Sequence, residues 1–278
     1  MKRIVTIQDI SCVGKCSLTV ALPIISAMGV ETAIIPTAVL STHTMFQNFT
    51  CKDLTDQIQP ISDHWQKENF KFDAVYTGYL GSAEQTNLVC DFFDRYKTDS
   101  NIIFVDPAMA DNGKLYAGFD KNFAKLMANV CAKADIIVPN LTEACLMTDT
   151  EYKTEYDKEY IMDLLHKLTN LGAKKAAITG ANYNGQYGIV GYDSENDSVF
   201  SYFHEKLPVS YHGTGDVFSS VCVGALTNGL SLEKAIKLAA DYTVECIRLT
   251  LEQNGTNAYG VNFELVIPYL LELLNKEK

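Results

Sequence analysis

Residues 3–40 contain, in succession, RIVTI (3–7), CSLTVALPIISAM (16–28) and TAIIPTAVL (32–40). Two short runs rich in β-branched residues flank an apolar stretch of helical length. A strand, a helix and a strand in that order predict a parallel pair, because parallel strands need a long crossover between them. The alternation continues down the chain. Strand-like runs at Ala74–Tyr76, Ile102–Val105, Ile136–Val138 and Ala176–Thr179 are separated by helix-like stretches at Ala83–Tyr96, Phe119–Ala132 and Lys158–Leu171. Such bracketed runs point to a parallel sheet covered on both faces. Beyond residue 180 the pattern changes. Tyr187–Tyr192 and Val199–His204, split by the polar stretch Asp193–Asp197, predict an antiparallel hairpin at a sheet edge. Helices are expected at Asp216–Asn228, Leu232–Thr250 and Asn262–Asn275, with Ser231 capping the second of them. The expected fold is one three-layer α/β domain over residues 1–278, with a mostly parallel central sheet, helices on both faces and an antiparallel edge.

Charge excludes some functions. The 278 residues carry a net charge of −11, and the isoelectric point is near 4.9. A surface this acidic repels nucleic-acid phosphates and anionic lipid, so neither is an expected partner. No apolar run approaches the ~18 residues of a membrane span, and MKRIVTIQD at the start is no signal peptide. The eight cysteines are scattered, mostly within apolar segments, as reduced core-filling thiols of a cytoplasmic protein would be. Cys12 and Cys16 lack the spacing and the partners of a zinc site.

Polar residues follow the expected strands: Gln8-Asp9, Ser41–Thr44, Thr77-Gly78-Tyr79, Asp106-Pro107, Asn140–Glu143 and Thr179-Gly180. In α/β sheets ligands gather at the carboxyl ends of strands. The segment richest in chemistry is His212-Gly213-Thr214-Gly215-Asp216, which runs straight into the apolar VFSSVCVGAL. Two glycines let the backbone approach a ligand closely. The following helix start offers unused N–H groups and the positive end of its dipole to anionic oxygens. Asp216 is placed to accept the proton of an attacking hydroxyl in a phosphoryl transfer. The plainer alternative makes Asp216 an N-cap and the glycines a tight turn. Gly14-Lys15-Cys16 looks like part of a P-loop but lacks its first Gly and its final Ser or Thr.

Gly213-Thr214-Gly215-Asp216 resembles the catalytic motif of ribokinase-fold kinases, and Asn140-Leu141-Thr142-Glu143 is similar to the N-x-x-E motif of that superfamily. Within it the chain most resembles the pyridoxal/pyridoxamine kinases. The segments that carry this likeness are Ile7-Gln8, Ser41-Thr42-His43-Thr44, the Thr77–Gln85 run TGYLGSAEQ and Asp106-Pro107-Ala108-Met109, in the family's order. The resemblance implies an ATP- and Mg²⁺-dependent kinase that phosphorylates the 5′-hydroxymethyl group of a vitamin B6 vitamer. It names Asp216 as the base and the amides of Gly213, Thr214 and Gly215 as the anion hole. Asp106 and Glu143 would place Mg²⁺ (Glu143 through water), and with Asn140 and Thr179 they would hold ATP. Thr44 and Tyr79 would line the pyridine pocket. A homodimer is the implied assembly, and K⁺ is a candidate second cation.

Two departures stand out. Asp9 occupies the position where close pyridoxal kinases have Ser after I-Q. A carboxylate there would pair with a protonated pyridine nitrogen or with the amine of pyridoxamine, and Ser11 would supply the missing hydroxyl. His212 stands where some relatives carry a cysteine, so covalent capture of an aldehyde is not expected. The alternatives to a B6 kinase are a hydroxymethylpyrimidine kinase, a sugar kinase and a non-catalytic binding protein of the same fold.

Overall fold

The computed structural model describes residues 1–253 and 259–277. Its first half runs β1 (Arg3–Ser11), α1 (Leu18–Ala27), β2 (Glu31–Leu40), β3 (Cys51–Asp53), α2 (Thr55–Lys67), β4 (Ala74–Thr77), α3 (Ala83–Tyr96), β5 (Ile102–Val105), β6 (Ala110–Asp111), β7 (Lys114–Leu115) and α4 (Lys121–Ala132). There follow β8 (Ile136–Ile137), α5 (Leu141–Met147), α6 (Lys158–Asn170), β9 (Lys175–Tyr183), β10 (Gln186–Asp193), β11 (Ser198–His204), α7 (Thr214–Thr227), α8 (Leu232–Glu252) and α9 (Ile267–Glu277). The chain divides into two compact units: Met1–Tyr76 with Leu207–Lys278, and Thr77–Lys206.

In the first unit the strand order is β4-β1-β2-β3. β1 and β2 are parallel from Arg3↔Glu31 to Ser11↔Leu40, with an irregularity between Gln8 and Ile10, and β3 closes the edge antiparallel to β2. Nearly every residue of β1 is buried. Successive side chains point to opposite faces, so burial of all of them means that helices cover both faces. The sequence reading ends this strand at Ile7, but it continues to Ser11, so Gln8 and Asp9 lie inside it. Helix α7 is buried from Val217 to Thr227 and packs on α1 and α8. Gly224 permits the close fit against α1's end: a Cβ there would stand 2.6 Å from the Met28 sulfur.

In the second unit the order is β11-β10-β9-β8-β5. β5, β8 and β9 are parallel, while β10 and β11 form the expected antiparallel edge. Asp135 ties the strand starts together. Its carboxylate accepts the Ile103 N–H at 2.8 Å and pairs with Lys174 at 3.0 Å and with Lys97. Burial raises the Asp135 pKa, but Lys97, the Ile103 N–H and Lys174 outweigh it, and the carboxyl ends below the usual range. No described helix is long and apolar enough to cross a membrane.

Candidate active site

In the first unit the G-T-G-D segment opens α7. Gly213 is the N-cap, in the left-handed region at φ 75°. The first helical bond runs from the Val217 N–H to the Gly213 carbonyl at 3.0 Å. The amides of Thr214, Gly215 and Asp216 therefore precede the helical ladder and project from its positive end. Asp216 lies in the first turn, half-buried, and is not the N-cap. A glycine is required at 213 for a second reason. A Cβ there would stand 1.8 Å from the Lys15 carbonyl oxygen.

The turn that carries Lys15 is itself held. Its ammonium donates to Asn262 Oδ1 and pairs with Glu264, both at 2.8 Å. That anchoring accounts for a P-loop-like lysine that serves no P-loop. The neighbouring Cys16 is buried, and burial with the Asp216 and Asp9 charges pushes its thiol up to about 12, so it is no nucleophile. All eight cysteines are free, and no described cluster of three or more His, Cys, Asp or Glu side chains is placed to hold a metal ion.

Asp9 is 6 % exposed and meets hydroxyls: Ser17 donates to Oδ1 at 2.6 Å and Ser11 to Oδ2 at 3.5 Å. Burial raises its pKa, against the pull of these hydroxyls. Thr44 is exposed. Beside it, the His43 ring lies 4.8 Å from that of His212, which adjoins the G-T-G-D turn. Burial first, then His212, lower the His43 pKa, and its Nδ1 accepts the Met45 N–H at 3.1 Å. Among the described residues, the buried Gln8 Oε1 and Thr42 Oγ1 meet no hydrogen-bond partner in the protein. Unsatisfied buried groups of this kind are uncommon and mark places where a polar ligand is expected.

The second unit assembles the other expected residues. Asn140 and Glu143 form a capping box on α5: Asn140 Oδ1 accepts the Glu143 N–H at 3.0 Å, and the Glu143 carboxylate accepts the Asn140 N–H at 2.8 Å. The same two side chains hold the stretch after β5. Glu143 also accepts the Met109 N–H at 3.1 Å, and Asn140 Nδ2 donates to the Ala110 carbonyl at 2.7 Å. Burial and then the charge of Asp106 push the Glu143 carboxyl well up, against the pull of three backbone N–H groups. Asp106 is 7 % exposed, and its N–H donates to the Thr77 carbonyl at 3.0 Å. Thr179 donates its N–H to the Pro139 carbonyl at 2.9 Å, beside Asn140. Tyr79 is half-buried and begins an aromatic row. Its ring lies 5.4 Å from Phe119, which stacks on Phe123 at 3.9 Å.

The residues that the motifs single out thus divide between the two units: Asp9, Ser11, Thr44 and Gly213–Asp216 lie in one, and Tyr79, Asp106, Asn140, Glu143 and Thr179 in the other. Sequence reasoning passes over Ser17, the Lys15 carbonyl and the orphaned Gln8 and Thr42 atoms. Only the unusual run of small and polar residues after β1 hints at the first two.

The chain matches the family model described as phosphomethylpyrimidine kinase over residues 21–262. It is similar to the structure of a Bacteroides thetaiotaomicron protein described as a phosphomethylpyrimidine kinase and crystallised with pyridoxal. There the TM-score is 0.92 and the identity 37 %, over 97 % of this chain and 95 % of that one. It is also similar to the pyridoxal kinase of Lactobacillus plantarum, with TM-score 0.90 and 31 % identity over 99 % of both chains. A pyridoxal kinase of Dictyostelium discoideum is 28 % identical over 80 % of this chain and 77 % of its own length.

Proposed function

The chain belongs to the phosphomethylpyrimidine kinase family of the ribokinase-like superfamily, and we propose that it transfers the γ-phosphoryl group of ATP to the 5′-hydroxymethyl group of a vitamin B6 vitamer. The observation that carries this reading is the start of α7. Three amides ahead of the helical ladder and a carboxylate in the first turn, Asp216, stand on one rigid helix end. Preorganised donors of this kind stabilise charge on a phosphoryl group in transit. In-line attack needs the hydroxymethyl proton to leave, and Asp216 takes it.

The other assignments rest on the family likeness. That likeness assigns Asn140 to the ATP phosphates, Thr179 to a place beside the nucleotide, and Thr44 and Tyr79 to substrate binding. The orphaned Gln8 Oε1 and Thr42 Oγ1 are acceptors for polar ring substituents. Mg²⁺ fits the carboxylate pair Asp106 and Glu143, because hard oxygen ligands suit it and because their mutual repulsion is relieved by a cation. When bound, Mg²⁺ neutralises charge on the phosphates. Glu143 already accepts three N–H groups, and its contact with the ion would run through water, as the family likeness implies. On the family likeness we add K⁺ as second cation, a homodimer and a cytoplasmic location.

A hydroxymethylpyrimidine is the second substrate to weigh, because an Aquifex aeolicus relative, 28 % identical over 65 % of this chain, is described as a hydroxymethylpyrimidine/phosphomethylpyrimidine kinase. ATP consumption measured in parallel on pyridoxal, pyridoxamine, pyridoxine, hydroxymethylpyrimidine and ribose separates the readings. Turnover on the B6 vitamers is expected. Turnover confined to the pyrimidine or the sugar overturns the substrate.

A further inference from the structure

The turn beneath the catalytic motif is fixed on three sides. Gly213 rests directly on the Lys15 carbonyl, and a Cβ on Gly213 would also meet Cys16 Cα at 3.5 Å. On a second side, a Cβ on Gly260 would stand 2.3 Å from Lys15 Cβ, and the Lys15 ammonium is tied to Asn262 and Glu264. On the third, Gly14 packs on His43, whose N–H donates to the Val13 carbonyl at 2.8 Å. What remains is the exit of the turn into α1, at Ser17. Ser17 has φ 50° and ψ −133°, a left-handed conformation that residues with a side chain rarely adopt. It is 4 % exposed, and its hydroxyl donates to Asp9 Oδ1 at 2.6 Å. The Val20 and Ala21 N–H groups hold the Ser17 carbonyl at 3.1 and 2.9 Å, and Asp9 is the group that holds its side chain in this strained conformation.

We propose that Asp9 is a positioning residue. Through Ser17 it fixes the residue 12–17 turn on which Gly213 sits, and so sets where the G-T-G-D amides point. The inference rests on the phosphotransferase reading above. It differs from the expectation that Asp9 recognises the pyridine ring, because both carboxylate oxygens already accept hydroxyl groups of the chain.

Two measurements test it on the full chain. In the first, kcat and KM for each vitamer and for ATP are determined for Asp9→Ala, Ser17→Ala, the double variant and Asp9→Asn. Asn keeps an acceptor for the Ser17 hydroxyl. The Ala variants are expected to lose about 10–100-fold in kcat, as a displaced catalytic group does, with vitamer KM unchanged within about threefold. The double variant should be no worse than the poorer single one, and Asn should recover most of the loss. In the second, amide hydrogen exchange is followed over residues 213–218 without ligand. The Val217 N–H, bonded to the Gly213 carbonyl, should exchange faster in Ser17→Ala than in the wild type. A raised KM with changed vitamer ratios and intact kcat would assign Asp9 to ring recognition and overturn the proposal. So would exchange at Val217 that Ser17→Ala leaves unaltered. If the wild type phosphorylates no vitamer, the functional reading fails, and the exchange result still decides the positioning role. Ser17→Ala, the loss of one hydroxyl, serves if Asp9→Ala does not fold.

Discussion

Gly213→Ala adds one methyl group to the G-T-G-D turn, and its consequence follows from the packing. The new Cβ would stand 1.8 Å from the Lys15 carbonyl oxygen, whereas ordinary contact begins at 3.4 Å, so the two segments must part by about 1.6 Å (3.4 less 1.8). Lys15 yields poorly, because its ammonium is anchored to Asn262 and Glu264. Most of the displacement therefore falls on the G-T-G-D amides. A misplacement of about 1 Å at a reacting centre costs about 100-fold, so kcat/KM should fall by at least that factor. Left-handed φ at a non-glycine residue adds about 1–2 kcal/mol of instability, and the steric clash adds more. The control is Gly229→Ala, also left-handed at φ +98° but with no atom within 4 Å of the added Cβ. It should lose about 1–2 kcal/mol and keep its activity. Steady-state kinetics with ATP and pyridoxal, alongside urea unfolding, measure both. Gly213→Ala with kcat/KM within about threefold of the wild type would refute the reasoning, because the turn would then tolerate displacement.

Three further outcomes are expected. Glu143→Gln turns an acceptor of three N–H groups into a side chain with one carbonyl oxygen, setting donors against donors; urea unfolding should show a loss of about 1–3 kcal/mol. Asn140→Ala removes the cap of α5 and the tie to Ala110, and should lower stability by about 0.5–2 kcal/mol while weakening ATP binding in a titration. Asp135 has a folded-state pKa below its ordinary value. Its contribution is therefore complete above that value and is lost as pH falls through the folded pKa. Asp135→Asn should be less stable than the wild type at pH 7 and should lose less on acidification below about pH 4.

The alternation of strand-like runs and helical stretches was enough to locate most of the strands, and α3 and β5 fall on their expected bounds, Ala83–Tyr96 and Ile102–Val105. Where elements escaped, a local signal pointed elsewhere. α2 carries Pro60 inside it, and α5 is only seven residues long and hides in the Asn140–Glu143 motif, whose capping role is written in its spacing. β1 runs past Ile7 into the buried polar residues Gln8 and Asp9, whose contacts with Thr6 (through Gln8 Nε2) and Ser17 hydropathy does not foresee. The N-cap alternative for Asp216 was legible too, and the structure sets it aside: Gly213 is the N-cap and Asp216 lies in the first turn. The contact between Gly213 and Lys15, by contrast, joins residues about two hundred positions apart. No local pattern encodes it, nor the left-handed Ser17 that Asp9 restrains.

The most direct test of the central claim is the formation of the 5′-phosphate itself. The protein is incubated with Mg·ATP and each B6 vitamer, the products are separated by chromatography, and Asp216→Asn is run beside the wild type. The account predicts a phosphorylated vitamer from the wild type and a kcat lowered by about 10²–10⁴-fold in the variant. A variant that forms the product at the wild-type rate, or that differs only in its affinity for ATP, would contradict the role given to Asp216.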